Sequence, residues 1–573
     1  TKTSGSDYWS YATDFDGTSL SCNERVVDVY FATGASASVL GGSLAVAGAA
    51  GATTTIQQQT AGSYGLLIGG SASTSLQYYA IRDIDSNGLT FTGTPSVATL
   101  SYGDLEVSQN GGSAITVGGT AITANPAKTF TQNRFALNGV GSGFNVTATG
   151  TSVSSWRFTN HYGDIAGESN DADPDGDPGY IVWDDSAANI TISGVVYADD
   201  TTTTAGVSVC DSSTTAVQIV VAGVTTYNTS CTTGTGAYSI SGISYSPGDS
   251  LIAYLLPATS AEGAVVTIDP VSNINNFDIY TNHVIVRHEN INPITIADLA
   301  VYDSSDDANI PFTAVDAGTD TLTLPADRAL VVWNSKTFAP TGNVTTATGG
   351  SELYGGDVDL LTGAQWTGQG TEQLTIGGNF VLDTAAVFAA SNGTTTFTTT
   401  GAGRVIDVNG ASFNNLAFTG SGDWTMTDPM LNVDSNYTQS NGTVTLPTGT
   451  STFAGSLINS GGAFDSNDGL AQFTGIGAHT VTVGGSDLAT VDFIGGDYVF
   501  GDTTATTTGN LTIVSGDLTL PSGQLIVGGD FINTDGSITH NTSDLVMVNA
   551  AAATVTDSSS DLYAVWFTGG EAY

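Results

Sequence analysis

Asn436–Gly449 reads NYTQSNGTVTLPTG, and Asn510–Gly523, at an offset of 74, reads NLTIVSGDLTLPSG. The match extends outward on both sides. IGGNF, ending at Phe380, recurs as FAGSL ending at Leu457 and as VGGDF ending at Phe531. Phe418, Phe493 and Phe567 each open an F-[TI]-G turn. Between the turns lie short alternating runs such as Leu511–Val514 and Gln524–Val527, punctuated by Gly, Asn, Asp and Ser. Period-two alternation in short runs, with helical periodicity almost absent, predicts many short strands joined by tight turns. The fold class is therefore all-β.

A repeat of this length without helix fits either tandem β-sandwiches or several coils of a β-solenoid. The connections are too short for Greek-key crossovers, which favours the solenoid. Three coils of roughly 25 residues, each rising about 4.8 Å, would make one repeat about 14 Å long. Alternate apolar residues would fill the lumen. Asn379, Asn436 and Asn510 recur at turns and are expected to stack as internal amide ladders. FTGGEAY at Phe567–Tyr573 matches the start of the earlier copies, so the chain is expected to stop in mid-repeat and to continue in a longer polypeptide or against a neighbouring subunit.

Four regions are expected: a solenoid-like region with a cap over 1–188, a β-sandwich over 189–270, a connecting β domain over 271–350, and the repeat solenoid over 351–573. Phe130–Ser186, holding Trp156 and Trp183, is read as a cap or transition piece.

Composition bounds the function. The 573 residues hold 10 Lys+Arg against 54 Asp+Glu, for a net charge of −44. No run of five like charges occurs, so the imbalance is a shortage of bases rather than an acidic tail. Nucleic acid is excluded as a partner, because phosphate binding needs basic patches. Anionic membrane surfaces are disfavoured for the same reason. No stretch of 18 apolar residues is present.

Of the three cysteines, Cys210 and Cys231 flank a segment read as two short strands and are the natural disulfide pair, with two free thiols as the alternative. Cys22 is left over, as a buried filler or a partner for another subunit. Asp171, Asp173, Asp175 and Asp177 alternate ahead of a turn, the spacing of a calcium loop, although the bidentate Glu of an EF-hand is replaced by Val182. The alternative is a solvated acidic turn. Asp303, Asp306 and Asp307 form a second, weaker cluster for calcium. Asp184 and Asp185 are adjacent and would point to opposite faces of a strand. Arg287-His288-Glu289 reads as a local ion pair rather than a catalytic pair. Sequons occur at Asn145, Asn189, Asn228, Asn343, Asn392 and Asn510. No nucleophile elbow, P-loop or zinc spacing occurs, and no enzyme activity is expected.

Residues 192–197 (ISGVVY), Ala205-Gly206-Val207, Gly236-Ala237-Tyr238-Ser239-Ile240 and Pro247-Gly248-Asp249 resemble the carboxypeptidase-regulatory-like, prealbumin-type β-sandwich. That resemblance implies a spacer on a secreted or surface protein. Some relatives carry a Lys–Asn cross-link; the segment has no Lys, so the disulfide is the expected substitute. The stretches Phe413–Gly420, Asn510–Ile513, Asn125–Phe130 and Trp183–Ser186 are similar to long bacterial surface proteins built of β-strand repeats. The expectation is an extracellular, cell-surface structural protein that assembles with itself as a filament, stalk or layer. The alternative is an adhesin for glycans or another cell, and a polysaccharide-degrading solenoid enzyme ranks third.

Overall fold

The structure is a computed structural model. It describes residues 27–48, 53–59, 62–174, 179–184, 188–199, 209–210, 215–246, 248–256, 261–268, 270, 272–290, 292–348, 355–548, 553–558 and 562–568. Strand makes up 52% of it and helix 3%, so the chain is all-β. Its organising element is a β-solenoid of about 21 turns. Two compact units divide at 186/187.

In the first unit, successive coils pair in parallel. One column runs Val29, Ile56, Ile81, Leu105, Phe135, at uneven steps along the chain. A second face runs Leu66, Leu89, Ile115, Val146. The stretch expected as a cap or transition piece continues the parallel pairing: Lys128–Thr131, Trp156–Thr159 and Ile181–Asp184 form one more parallel sheet. Trp156 packs edge-on to Phe130 at 5.1 Å, and Trp183 stacks on Phe158 at 4.8 Å. Both tryptophans thus belong to the solenoid lumen.

The second unit begins with antiparallel strands. Val217–Val221 pairs with Thr225–Thr229 and Ser250–Leu255, which pairs with Ala264–Ile268. Ala264–Ile268 then pairs in parallel with His283–Val286, and that strand with Ala329–Val332. One 12-stranded sheet therefore passes from antiparallel to parallel without a break. The period-two alternation of a strand makes this work. Leu251, Ala253 and Leu255 face a core shared with the sheet of Ala188–Tyr197 and Ala237–Tyr245, whereas Ile252 and Tyr254 face the solenoid lumen. Within 271–350, expected as a connecting domain, His283–Val286, Ala329–Val332, Thr321–Leu324 and Asn343–Thr346 already pair in parallel as strands of this same solenoid.

The coil is smaller than expected. Phe413, Val433, Phe453, Phe473, Phe493, Ile513 and Asn533 stack in one column, and each step adds 20 to the residue number rather than 25. Where each side is a separate strand, a strand pairs with the third after it: Asn415–Phe418 with Tyr437–Gln439, Asp423–Met426 with Thr443–Thr445, Met430–Val433 with Thr450–Phe453. The coil is three-sided, with about seven residues per strand and turn. The sequence repeat advances the numbering by 74, from Asn436 to Asn510. Over coils of 20 that is about three and two-thirds turns, or eleven sides. Accordingly Phe418, Phe493 and Phe567, equivalent in sequence, lie on three different sheets or columns. The repeat encodes a strand-and-turn unit rather than a whole coil.

Like residues still stack, because every side points its alternate residues inward. Phe453–Phe473 and Phe473–Phe493 have centroid spacings of 5.6 and 4.9 Å, close to the roughly 4.8 Å between neighbouring strands. The asparagine ladders exist but sit at the outer corners, and they join side chain to backbone. The Asn415 carbonyl accepts the Asn436 backbone N–H at 3.2 Å, and that of Asn436 accepts the Ser456 N–H at 3.0 Å. Asn510 does the same for Asp530 at 2.8 Å, and Asn379 for Val405 at 2.8 Å. Inside the same coils lie Asn459 and Asn533. Both 0% exposed and one sequence repeat apart, they each accept the N–H of the third residue after them at 2.9 Å. Asn459 also donates to the Val483 carbonyl of the next coil at 3.0 Å.

Substituting Asn459→Ala leaves the Gly462 N–H without its acceptor inside the protein and removes one of the two donors to the Val483 carbonyl, at a cost of about 1–3 kcal/mol. Hydrogen exchange should accelerate in the coils on either side of Asn459, while the exposed Thr438→Ala control should change little.

Candidate functional site

The alternating aspartates are the first candidates for chemistry. Asp175 and Asp177 lie outside the described residues. Asp171 accepts the Trp183 indole N–H at 2.9 Å. Asp173 accepts the backbone N–H of Ile181 at 2.7 Å and that of Tyr180. These two carboxylates hold their loop against the strand Ile181–Asp184, a bracing role. Among the described residues no three His, Cys, Asp or Glu side chains converge on one point.

In the second cluster, each carboxylate closes a local turn. Asp303 accepts from Ser305 N–H at 2.7 Å, Asp306 from Asp303 N–H at 3.2 Å, and Asp307 from Asn309 N–H at 3.0 Å. Asp307 also accepts the Tyr254 hydroxyl at 2.8 Å. Burial raises its pKa, but these bonds outweigh burial and hold the carboxyl below its ordinary value. Burial and the same carboxylate push the Tyr254 phenol up. Asp306 and Asp307 line a cavity of about 180 Å³ with Gln218, Thr226, Tyr254 and Tyr302. The sequence held no signal for this cavity, because its walls come from strands and a loop far apart in the chain.

Cys210 and Cys231 form a disulfide, buried in the core of the antiparallel strands. Closing a loop of this size stabilises by roughly 3 kcal/mol in the chain-entropy model. Cys22 lies outside the described residues.

The Arg287-His288-Glu289 run splits by strand alternation. Arg287 pairs with Glu289 at 2.6 Å, donates to the Asn276 carbonyl at 2.6 Å, and lies 5.6 Å from the ring centroids of both Phe277 and Trp333. Lys336 approaches Glu289 at 3.9 Å. The His288 ring points the other way, with Nδ1 on the Asn290 carbonyl at 2.5 Å and Nε2 buried without a partner among the described residues. Burial first, and then Lys336, pull its pKa down to about 4.

No local pattern in the residues pointed to a four-charge network on the first unit. Arg82 and Arg134 both hold Asp104, at 2.5 and 2.8 Å, and both reach Glu106, at 3.1 and 3.2 Å. The parallel register sets Asp104 between Ala80 and Arg134, one coil to either side. Burial raises the Asp104 pKa, but the two guanidinium groups outweigh burial and hold it low. Arg157 pairs with Asp184 at 3.5 Å, Arg328 with Glu262 at 2.5 Å, and Arg404 with Asp357 at 3.6 Å. Seven of the eight described Lys and Arg are thus in ion pairs. Asp185 lies outside the described residues. Of the sequons, Asn145 is 0% exposed and donates to the Ile165 and Gly167 carbonyls, so it is closed to modification in the folded chain. Asn392 and Asn510 are exposed.

The lowered pKa of His288 has a definite sign. The unfolded chain takes up this proton near pH 6.5 and the folded chain only near pH 4, so stability falls as pH drops through that window. The loss should come to about 3 kcal/mol, and His288→Gln should remove most of it. Urea unfolding at pH 7 and pH 4 measures the difference.

No family model matches the chain, no curated protein matches it, and no solved structure matches it, so its own residues carry the functional reading.

Proposed function

We propose that the chain is an extracellular structural protein, the repeating body or a subunit of a cell-surface filament, stalk or layer. The supporting observation is the column from Phe413 to Asn533, which keeps one constant register over seven strands around a lumen of stacked aromatic rings. A ladder of this kind resists bending and stretching along its axis, because every coil is hydrogen-bonded to the next. The buried Cys210–Cys231 disulfide supports an oxidising location outside the cell. In this reading the partner is another copy of the chain. The antiparallel strands are a spacer of the carboxypeptidase-regulatory-like type, continuous with the solenoid. Calcium at the aspartate loops would offset the self-repulsion of a chain at −44.

A second reading, an adhesin that holds glycans, is favoured by one observation. The cavity at Tyr254, Asp306 and Asp307 is lined by carboxylate and amide groups together with the apolar Val220 and Ile310.

Negative-stain electron microscopy of the natively assembled protein, with and without a calcium chelator, tests the structural reading. Fibres or layers with a fixed axial repeat are expected, and fraying on chelation would put calcium at the joints. Discrete rods in both conditions would overturn self-assembly and direct attention to glycan binding at the Tyr254 cavity.

A further inference from the structure

The first unit has a corner where four successive coils turn through a residue with positive φ: Tyr78 at 50°, Tyr102 at 58°, Gln132 at 59° and Asn160 at 51°. Glycine and asparagine are the ordinary occupants of this left-handed region, and a bulky side chain there is strained. The chain uses asparagine in one coil yet places tyrosine in two adjacent ones. Packing explains how the corner is held. Tyr79 and Gly103 pair in register beneath it, and a Cβ at Gly103 would sit 2.4 Å from the Tyr79 ring. Position 103 therefore has room only for glycine beside the Tyr79 ring, which makes no demand for tyrosine at 78 or 102.

The two corner tyrosines face one another. Gln77 pairs with Ser101 and Tyr79 with Gly103, so Tyr78 lies opposite Tyr102. Their rings stack with centroids 4.6 Å apart and planes 15° from parallel. Both rings are half-buried, and no hydrogen bond to the described residues holds either hydroxyl. The other tyrosine pair among the described residues, Tyr197 and Tyr280, is 5.6 Å apart at 69°, with Tyr280 buried. Burial, and then the neighbouring Tyr102, push the Tyr78 phenol above its ordinary value.

We propose that Tyr78 and Tyr102 are a site of oxidative cross-linking, at which a peroxide-driven one-electron oxidant joins the two rings as dityrosine. Each phenol gives one electron to the oxidant and one proton to water, leaving two phenoxyl radicals. The radicals join through the ring carbons next to the oxygens, forming one carbon–carbon bond. The hydrogen on each joined carbon then returns to its oxygen, restoring two phenols. In total, two hydrogens leave the protein and one hydrogen peroxide becomes two waters. Stacked rings must swing edge-on to couple, and their partial exposure gives them room. Tyr78 and Tyr102 belong to successive coils, so the bond would staple one coil to the next at its outer corner. This proposal is independent of whether the chain assembles.

The test treats the full chain, at high dilution, with a haem peroxidase and hydrogen peroxide, with free tyrosine coupled in a parallel tube as the control. Trypsin cuts after Arg82, between the two tyrosines, and peptide 83–128 contains Tyr102 as its single tyrosine. The expected result is peptide 26–82 joined to 83–128 at two hydrogens below their summed mass, with dityrosine fluorescence in the monomer fraction. Tyr78→Phe keeps a ring in the stack and should lower the joined peptide at least tenfold with an unchanged circular dichroism spectrum. Persistence of the joined peptide in that variant would assign the coupling to another tyrosine and overturn the proposal. So would oxidation confined to other tyrosines, cross-links only between chains, or no coupling where free tyrosine couples.

Discussion

Hydrogen bonding between one coil and the next, in parallel and in register, is the constraint on which the rest of this protein depends. Because a strand lies about 4.8 Å from its neighbour, anything placed at one position of a coil meets its counterpart in the next at contact distance. Phenylalanines therefore stack into Phe453, Phe473 and Phe493. Corner asparagines accept backbone N–H groups one coil on, as Asn415 does from Asn436. Charges far apart in the chain become direct partners, as at Arg82, Asp104 and Arg134. The same register brings Tyr78 face to face with Tyr102.

The lumen and the corners solve different problems. Inside, apolar rings remove surface from water and need only be inward-facing and of suitable volume. At the corners the backbone bends sharply and leaves N–H groups without strand partners. Asn459 and Asn533 satisfy such groups from within, and Asn379, Asn436 and Asn510 do so from outside. Asparagine suits both settings because its short amide carries a donor and an acceptor and tolerates turn conformations. The antiparallel strands of the second unit obey the same accounting. Ser250–Leu255 is buried on both faces because one face closes its own core while the other covers the lumen of the solenoid.

Much of this was legible in the residues. Alternation and turn chemistry identified strands, and the recurrence of NYTQSNGTVTLPTG at Asn510 identified a repeating β architecture. Cys210 and Cys231 stood out as partners by their positions around two strands. The coil length did not follow from the repeat, since its period fits three larger coils as readily as eleven sides of a triangle. Only the pairing of Phe453 with Phe473 separates the two. The aspartate clusters were visible as spacing, but their direction was not: Asp171 and Asp173 turn toward Trp183 and Ile181, and Asp307 toward Tyr254.

Local features were readable from the residues: strand against turn, inward against outward, the scarcity of cations, and the recurrence of a strand-and-turn unit. These depend on a residue and its near neighbours. The tertiary structure decided how many such units close one coil, which columns the repeats occupy, and which distant side chains meet. Those outcomes depend on the sum of small turn angles around a coil. That sum sets the register, and no single residue carries it.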